Sequence, residues 1–135
     1  MEPAGTDEKI RVIAAVTTRN SKYLVCQRPL HKRHGGRWEF PGGKIRGGES
    51  KLEAARRELG EELRVEVREA GKLLFTALDP GSSFAIEFYA VDIEGEPQAV
   101  EHSAIRWCGL AEMTELAFAP ADSKFVNEYL RKQKQ

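Results

Sequence analysis

Cysteine is scarce in this 135-residue chain: Cys26 and Cys108 are the only two, each alone in an apolar, strand-like context. That excludes a disulfide framework and a cysteine-ligated zinc site, and leaves two reduced thiols for a core. Histidine is scarce too, and His31, His34 and His102 lack any metal-ligand spacing, so none carries an assignable role. Excess charge is missing, because 21 Lys and Arg balance 21 Asp and Glu. Nothing global therefore draws the chain to a nucleic-acid polymer or a membrane surface, and a charged ligand must be recruited locally. No apolar run approaches the roughly 20 residues that cross a bilayer. The opening MEPAGTDEKI has no basic flank leading into an apolar stretch, so no export signal and a cytoplasmic location are expected. With 41% apolar residues and no repeat or linker, residues 1–135 read as one domain with one core.

What is present is organised as short strands around one strong helix. Lys9 to Thr18 is apolar and β-branched, Arg19-Asn20-Ser21 is a turn, and Tyr23 to Gln27 is a second apolar run, together predicting a hairpin. Residues 28–38 form a cationic loop, followed by a short strand at Glu39-Phe40 and the glycine-rich PGGKIRGGE, where no regular element fits. Ser50 and Glu53 have capping-box spacing, which predicts a helix from Lys51 to about Leu63. Val65 to Leu78 and Phe84 to Ile93 predict a second hairpin across Asp79-Pro80-Gly81-Ser82-Ser83. Ile105 to Cys108 reads as a strand and Leu110 to Leu116 as one or two helical turns. Asp122 or Ser123 is placed to cap a last helix, with Phe125, Val126, Tyr129 and Leu130 at helical spacing and Arg131, Lys132 and Lys134 near its end. The expected class is α+β, a mixed sheet sandwiched between helices in α/β/α layers.

The helix contains RRELGEEL, residues 56–63. Glu58, Glu61 and Glu62 fall within a stripe about 100° wide, while Leu52, Ala55, Leu59 and Leu63 cluster elsewhere. Like charges at this spacing destabilise a helix by about 0.2–0.5 kcal/mol per pair, a penalty a divalent cation would reverse. Such carboxylates suit Mg²⁺ or Mn²⁺, hard ions that take oxygen ligands and keep waters for a phosphate. The alternative is a solvated charged face, with Arg57 pairing to Glu53 or Glu61.

Outward from this string, Gly43, five residues, Glu49, seven residues, then Arg57-Glu58-Leu59-Gly60-Glu61-Glu62 reproduce the spacing of the Nudix box. The chain resembles Nudix hydrolases. Arg64 stands where the box has a glycine, which would end the helix cheaply in the left-handed conformation; arginine there costs of order 1 kcal/mol or changes how the helix stops. WEFPGGK, Gln27-Arg28, Glu101 five residues before Arg106-Trp107, and APAD at 119–122 extend the likeness to the MutT-like branch.

The resemblance implies the Nudix fold and hydrolysis of a nucleoside triphosphate to the monophosphate and pyrophosphate, with Mg²⁺ as cofactor and Mn²⁺ able to replace it. It implies a small-molecule nucleotide partner, no nucleic-acid polymer or membrane, and a monomer or homodimer. Glu58, Glu61 and Glu62 match the metal-binding carboxylates and the Gly43 carbonyl a backbone ligand. Glu58 doubles as general base, oriented by Arg57 and Glu49. Glu101 matches a further ligand or an alternative base, a surface-loop glutamate being the plainer reading. Arg28 matches a phosphate-contacting arginine, against an exposed strand-end cation, and Lys32, Arg33 and Arg37 are candidates to steer a polyanion. Phe40, Phe118 and Leu30 are candidates to line the base pocket, or ordinary core.

Asp122 is the candidate base reader. An ionised carboxylate only accepts hydrogen bonds, which suits the exocyclic amine of cytosine. EHSAIRWC with APAD resembles the CTP pyrophosphohydrolases of the branch, so a cytosine nucleotide is expected. The alternatives are an 8-oxo-dGTP diphosphatase, since aspartate also accepts from guanine N1 and N2, and a nucleotide-binding module without turnover. Asp122 as a mere helix cap remains the structural alternative.

Overall fold

In the computed structural model, which describes residues 9–133, the side chains of β1 (Ile10–Val16) alternate between two apolar layers. Ile13 and Ala15 enter one buried cluster and Ala14 and Val16 the other. A strand apolar on both faces belongs inside a sheet. β1 is accordingly central in a mixed sheet of order β5–β1–β7–β6, where β5 is Gly42–Lys44, β6 Glu66–Leu78 and β7 Phe84–Glu94. It runs parallel to β7 and antiparallel to β5, and β6 and β7 form the expected hairpin, with register shifts near Gly71.

The first predicted hairpin is corrected by this topology. Buried Thr17, whose Oγ1 donates to the Val91 carbonyl at 3.0 Å, separates β1 from β2 (Thr18–Arg19), and only β2 turns back onto β3 (Lys22–Gln27). Asn20 and Ser21 make that turn with φ of 54° and 65°, a pair of left-handed residues that matches strand twist. β3 pairs along its length with β8 (Ala104–Cys108), and its other edge takes β2 at one end and β4 (Trp38–Glu39) at the other. This second sheet shares both apolar clusters: Leu24 and Cys26 enter one and Val25 the other. The glycine-rich stretch, expected to be irregular, supplies β5.

Helix α1 (Lys51–Leu63) forms as predicted. Ser50 Oγ accepts from Glu53 N–H at 3.1 Å, and Glu53 Oε1 accepts from Ser50 N–H at 2.8 Å. No β-branched residue interrupts it, and Ala54, Ala55, Leu59 and Leu63 bury their face against β1, β6 and β7. Complete burial of each leucine contributes roughly 1.5–3 kcal/mol. The helix ends at Arg64, which adopts φ 56°, ψ 40° and donates its N–H to the Gly60 carbonyl. The arginine therefore bears the strain of the left-handed stop.

After α2 (Leu110–Met113), the last helical segment covers the opposite face of the mixed sheet. It begins at Pro120, with Ala119 as N-cap and no side-chain cap, so the expected capping by Asp122 or Ser123 is incorrect. Proline at the first position needs no N–H partner and already has helical φ. The segment runs as α3 (Pro120–Phe125), a π-helical stretch Val126–Leu130 and a final turn, α4 (Arg131–Gln133). Phe125 stacks on Phe88 at 4.4 Å and on Tyr129 at 5.4 Å. Lys134 lies outside the described residues. The layers are α/β/α, as expected.

Candidate active site

The acidic side of α1 faces β5 and two loops. Arg57 organises it. Its Nε and Nη2 grip the two Glu49 oxygens at 2.7 and 2.9 Å, Nη2 also reaches the Lys44 carbonyl at 2.9 Å, and Nη1 donates to Glu58 Oε2 at 2.8 Å. A guanidinium held at both ends fixes the rotamer of the glutamate beside it. Hydrogen bonding to Arg57 also holds the Glu49 carboxyl down to about 2, well below the usual glutamate range.

Gly43 is pressed against this network. A Cβ at that position would sit 2.4 Å from Glu58 Cδ, so only glycine lets β5 approach the carboxylate. Glu61 is half exposed, with Oε1 4.0 Å from Arg57 Nη1. Glu62 differs from both: it is buried, and its Oε1 has no hydrogen-bond partner. Burial first, and then Glu58 beside it with Glu39 and Glu101 nearby, push its carboxyl up to about 10. The acidic face is thus not uniformly solvated. Among the described residues, no group of three or more His, Cys, Asp or Glu side chains is arranged to hold a metal ion as it stands: Glu58 is engaged by Arg57 and Glu61 is half exposed.

The loop bearing Glu101 is tied to the end of α1, where Gln98 and Val100 N–H donate to the Leu63 and Glu62 carbonyls. Exposed Glu101 and His102, whose side chain is 6% exposed, therefore stand over Glu62. They line a cavity of about 130 Å³ with Glu62, Glu39, Gly42 and Arg28. Among these side chains, Glu39 and His102 had no assigned role from sequence. Glu39 Oε1 accepts from Arg28 Nη1 at 2.9 Å, and its Oε2 lies 3.0 Å from His102 Nε2, which is also 3.9 Å from Glu62 Oε1. The signal was a glutamate opening EFPGG on a two-residue strand, between an arginine and an acidic cluster that its own position does not reveal. Arg28 is held by Glu39 and by the Arg33 carbonyl, to which its Nε donates, and is not a free strand-end cation.

A second cavity, of about 200 Å³, opens beside the first and reaches toward the last helix. Phe40, Asp122, Ala119 and Ala121 line one part of it and Val12, Phe84 and Ile86 another. Asp122 is buried inside α3 and accepts from the Phe40 N–H at 3.0 Å. Burial, with Glu39 nearby, pushes its carboxyl well above the usual aspartate range. That direction runs against the expectation of an ionised, accept-only carboxylate, since burial favours the protonated form, which can donate as well as accept. Phe118 lies behind the cavity wall, stacked 5.9 Å from Phe40, and is core. Leu30 is 85% exposed and lines neither cavity. Arg33 and His34 bind Asp79 at 3.0 and 2.9 Å, closing the far side of the larger cavity, whereas Arg37 reaches the Phe118 carbonyl at 3.4 Å.

A family model described as NUDIX domain matches residues 8–129. The chain is 36% identical over 124 residues to the CTP pyrophosphohydrolase of Escherichia coli, covering 90% of this chain and 91% of that protein. It is 35% identical over 86 residues to the 8-oxo-dGTP diphosphatase of Proteus vulgaris, covering 62% and 77% respectively. The solution structure of the E. coli ORF135 protein superposes with a TM-score of 0.81 at 34% identity, covering 98% of this chain and 96% of that one.

Proposed function

The chain belongs to the Nudix hydrolase family, as an enzyme of MutT type acting on nucleotides, and from that premise we propose that it hydrolyses cytosine nucleoside triphosphates to the monophosphate and pyrophosphate. The observation that carries the base assignment is the buried carboxyl of Asp122 lining the larger cavity, pushed by burial toward its protonated form. In the protonated form that burial favours, the carboxyl accepts from one group and donates to its neighbour, which complements the N4 amine and N3 nitrogen of cytosine. The similarity to a CTP pyrophosphohydrolase across nine-tenths of the chain supports the same base.

Nudix hydrolases generally use a divalent metal, and two features of this chain fit one, Mg²⁺ being our proposal with Mn²⁺ as a substitute. Glu62 Oε1 is buried without a partner, and Gly43 leaves open the space a side chain would take from the Glu58 carboxylate. Glu58, Glu61, Glu62 and the Gly43 carbonyl would hold the ion, with Glu101 over the same opening. A bound ion supplies charge neutralisation on the phosphates and a water of lowered pKa. Arg28 then faces the phosphates across the smaller cavity, its fork steadied by Glu39. Glu58 takes the proton of the attacking water. Arg57, locked by Glu49, occupies Glu58 Oε2 and leaves Oε1 for that transfer. The water oxygen bonds to an inner phosphorus, the anhydride P–O bond breaks, and pyrophosphate leaves with the electron pair.

The test is kcat/KM for pyrophosphate release from CTP, dCTP, UTP, dGTP and 8-oxo-dGTP, because discrimination resides in that ratio. Cytosine nucleotides should rank first. A ranking led by 8-oxo-dGTP would overturn the base assignment and leave the reaction in place.

A further inference from the structure

Arg28 opens the cationic loop of residues 28–37, and the loop's own backbone holds it. Arg28 Nε donates to the Arg33 carbonyl at 2.5 Å, Arg28 N–H to the Arg37 carbonyl at 2.8 Å, and Gly36 N–H donates to the Arg28 carbonyl at 2.9 Å. A Cβ at Gly35 would collide with the Leu30 carbonyl oxygen, so the two arms of the loop touch backbone to backbone. A loop tied in this way moves as one body. Where its tip goes, the Arg33 carbonyl and the guanidinium bonded to it follow. The tip is fastened across the larger cavity by Asp79, buried just past the end of β6. Asp79 Oδ2 accepts from Arg33 Nε at 3.0 Å, Oδ1 lies 2.9 Å from His34 Nε2, and Arg33 Nη2 donates to the Pro80 carbonyl at 3.0 Å. We infer that Asp79 is a positioning residue for the reaction: by pinning the loop tip through Arg33 and His34, it fixes the Arg33 carbonyl that aims Arg28 at the phosphates. The inference rests on the phosphate role proposed for Arg28 and adds to it the group that sets its aim.

The latch differs from a surface ion pair. The Asp79 side chain is 8% exposed, so its attraction for Arg33 is screened less than that between two solvated groups. Burial opposes its ionisation, yet hydrogen bonds from His34, Arg33 and Ser82 hold the carboxyl below the usual aspartate range and keep it anionic at neutral pH. His34 sits at φ 58°, in the left-handed region that residues with a Cβ avoid. Such a corner persists where surrounding contacts hold it, and Asp79 is the contact on its imidazole. The turn that carries Asp79 does not depend on the carboxylate. Asp79 N–H donates to the Phe84 carbonyl at 3.0 Å, and the Asp79 carbonyl accepts from Ser82 N–H at 3.1 Å and Ser82 Oγ at 2.8 Å. Removing the carboxylate therefore frees the loop tip and leaves the β6–β7 hairpin closed.

Asp79→Ala tests the inference. An unpinned loop samples other positions, and apparent affinity falls by the fraction of time that Arg28 spends in place. KM for CTP should rise roughly tenfold while kcat stays within about twofold, because a substrate that has captured the loop reacts as before. The Kd of inorganic triphosphate with Mg²⁺, read by calorimetry, should rise by the same factor, since this probe has the phosphates and no base. A role as mere wall of the base cavity would leave that Kd unchanged. In an Arg28→Lys background, which has no guanidinium for the Arg33 carbonyl to aim, Asp79→Ala should alter the Kd by about twofold or less. A purely structural role predicts a lower unfolding midpoint with KM and Kd at their wild-type values. Wild-type KM and Kd in Asp79→Ala, or an effect on Kd undiminished by Arg28→Lys, would overturn the positioning role and leave the reaction reading in place. If wild type releases no pyrophosphate from any nucleoside triphosphate, the functional reading fails and this inference fails with it.

Discussion

Glu62→Gln should make the metal-free protein more stable at pH 8 while changing little at pH 5. In the folded chain the Glu62 carboxyl is pushed up to about 10, against 4.5 for an ordinary glutamate, chiefly by burial. Between those values the folded state holds a proton that the unfolded chain releases. Stability from this group is therefore fully present below about 4.5 and declines as pH rises toward 10. A full proton of linkage is worth about 1.4 kcal/mol per pH unit. Because Glu58 shares the local charge, we expect roughly 1–3 kcal/mol of lost stability between pH 6 and 8, a few degrees in midpoint for a chain of this size. Glutamine fills the same space and cannot ionise, so that slope should vanish. Urea unfolding in EDTA at pH 5, 6, 7 and 8 measures it, and comparison with wild type cancels the groups common to both. Added Mg²⁺ should stabilise wild type increasingly as pH rises, since binding displaces the proton, and should stabilise the variant much less. Parallel pH profiles for the two proteins would refute the buried-carboxylate argument.

Two further expectations follow from the geometry. Arg64→Gly, relieving the left-handed stop at φ 56°, should raise stability by about 0.5–1 kcal/mol with activity retained, as read by thermal unfolding. Glu49→Gln should leave the fold intact but loosen Arg57, lowering kcat by roughly 10–100-fold with a smaller change in KM, as steady-state kinetics will report.

How legible all this was in the sequence varied with the range of the forces involved. α1 could be read to the residue at its start, because the Ser50–Glu53 box and the Leu59–Leu63 stripe are local and agree with each other. The Glu49–Arg57–Glu58 chain was equally legible, its two links spanning eight positions and one along one loop and helix. β1 was misassigned to a hairpin because an apolar run followed by a turn looks the same whether the strand folds back or passes into another sheet. Only partners 74 positions away on β7 decide between the two. Asp122 was legible as a candidate but not in the upward shift of its carboxyl, which comes from burial against segments as distant as Phe40, 82 positions away. Glu39 and His102 were overlooked for the same reason, since a glutamate and a histidine 63 positions apart show no spacing to notice.

The central claim is that the acidic face of α1 grips a divalent cation against a triphosphate. Glu61→Gln tests it most directly, since Glu61 is half exposed and lies outside the core, so the change leaves packing alone. Mg²⁺-dependent release of pyrophosphate from CTP should fall by about 100-fold or more while the unfolding midpoint in EDTA stays at the wild-type value. Turnover at the wild-type rate in that variant would contradict the account.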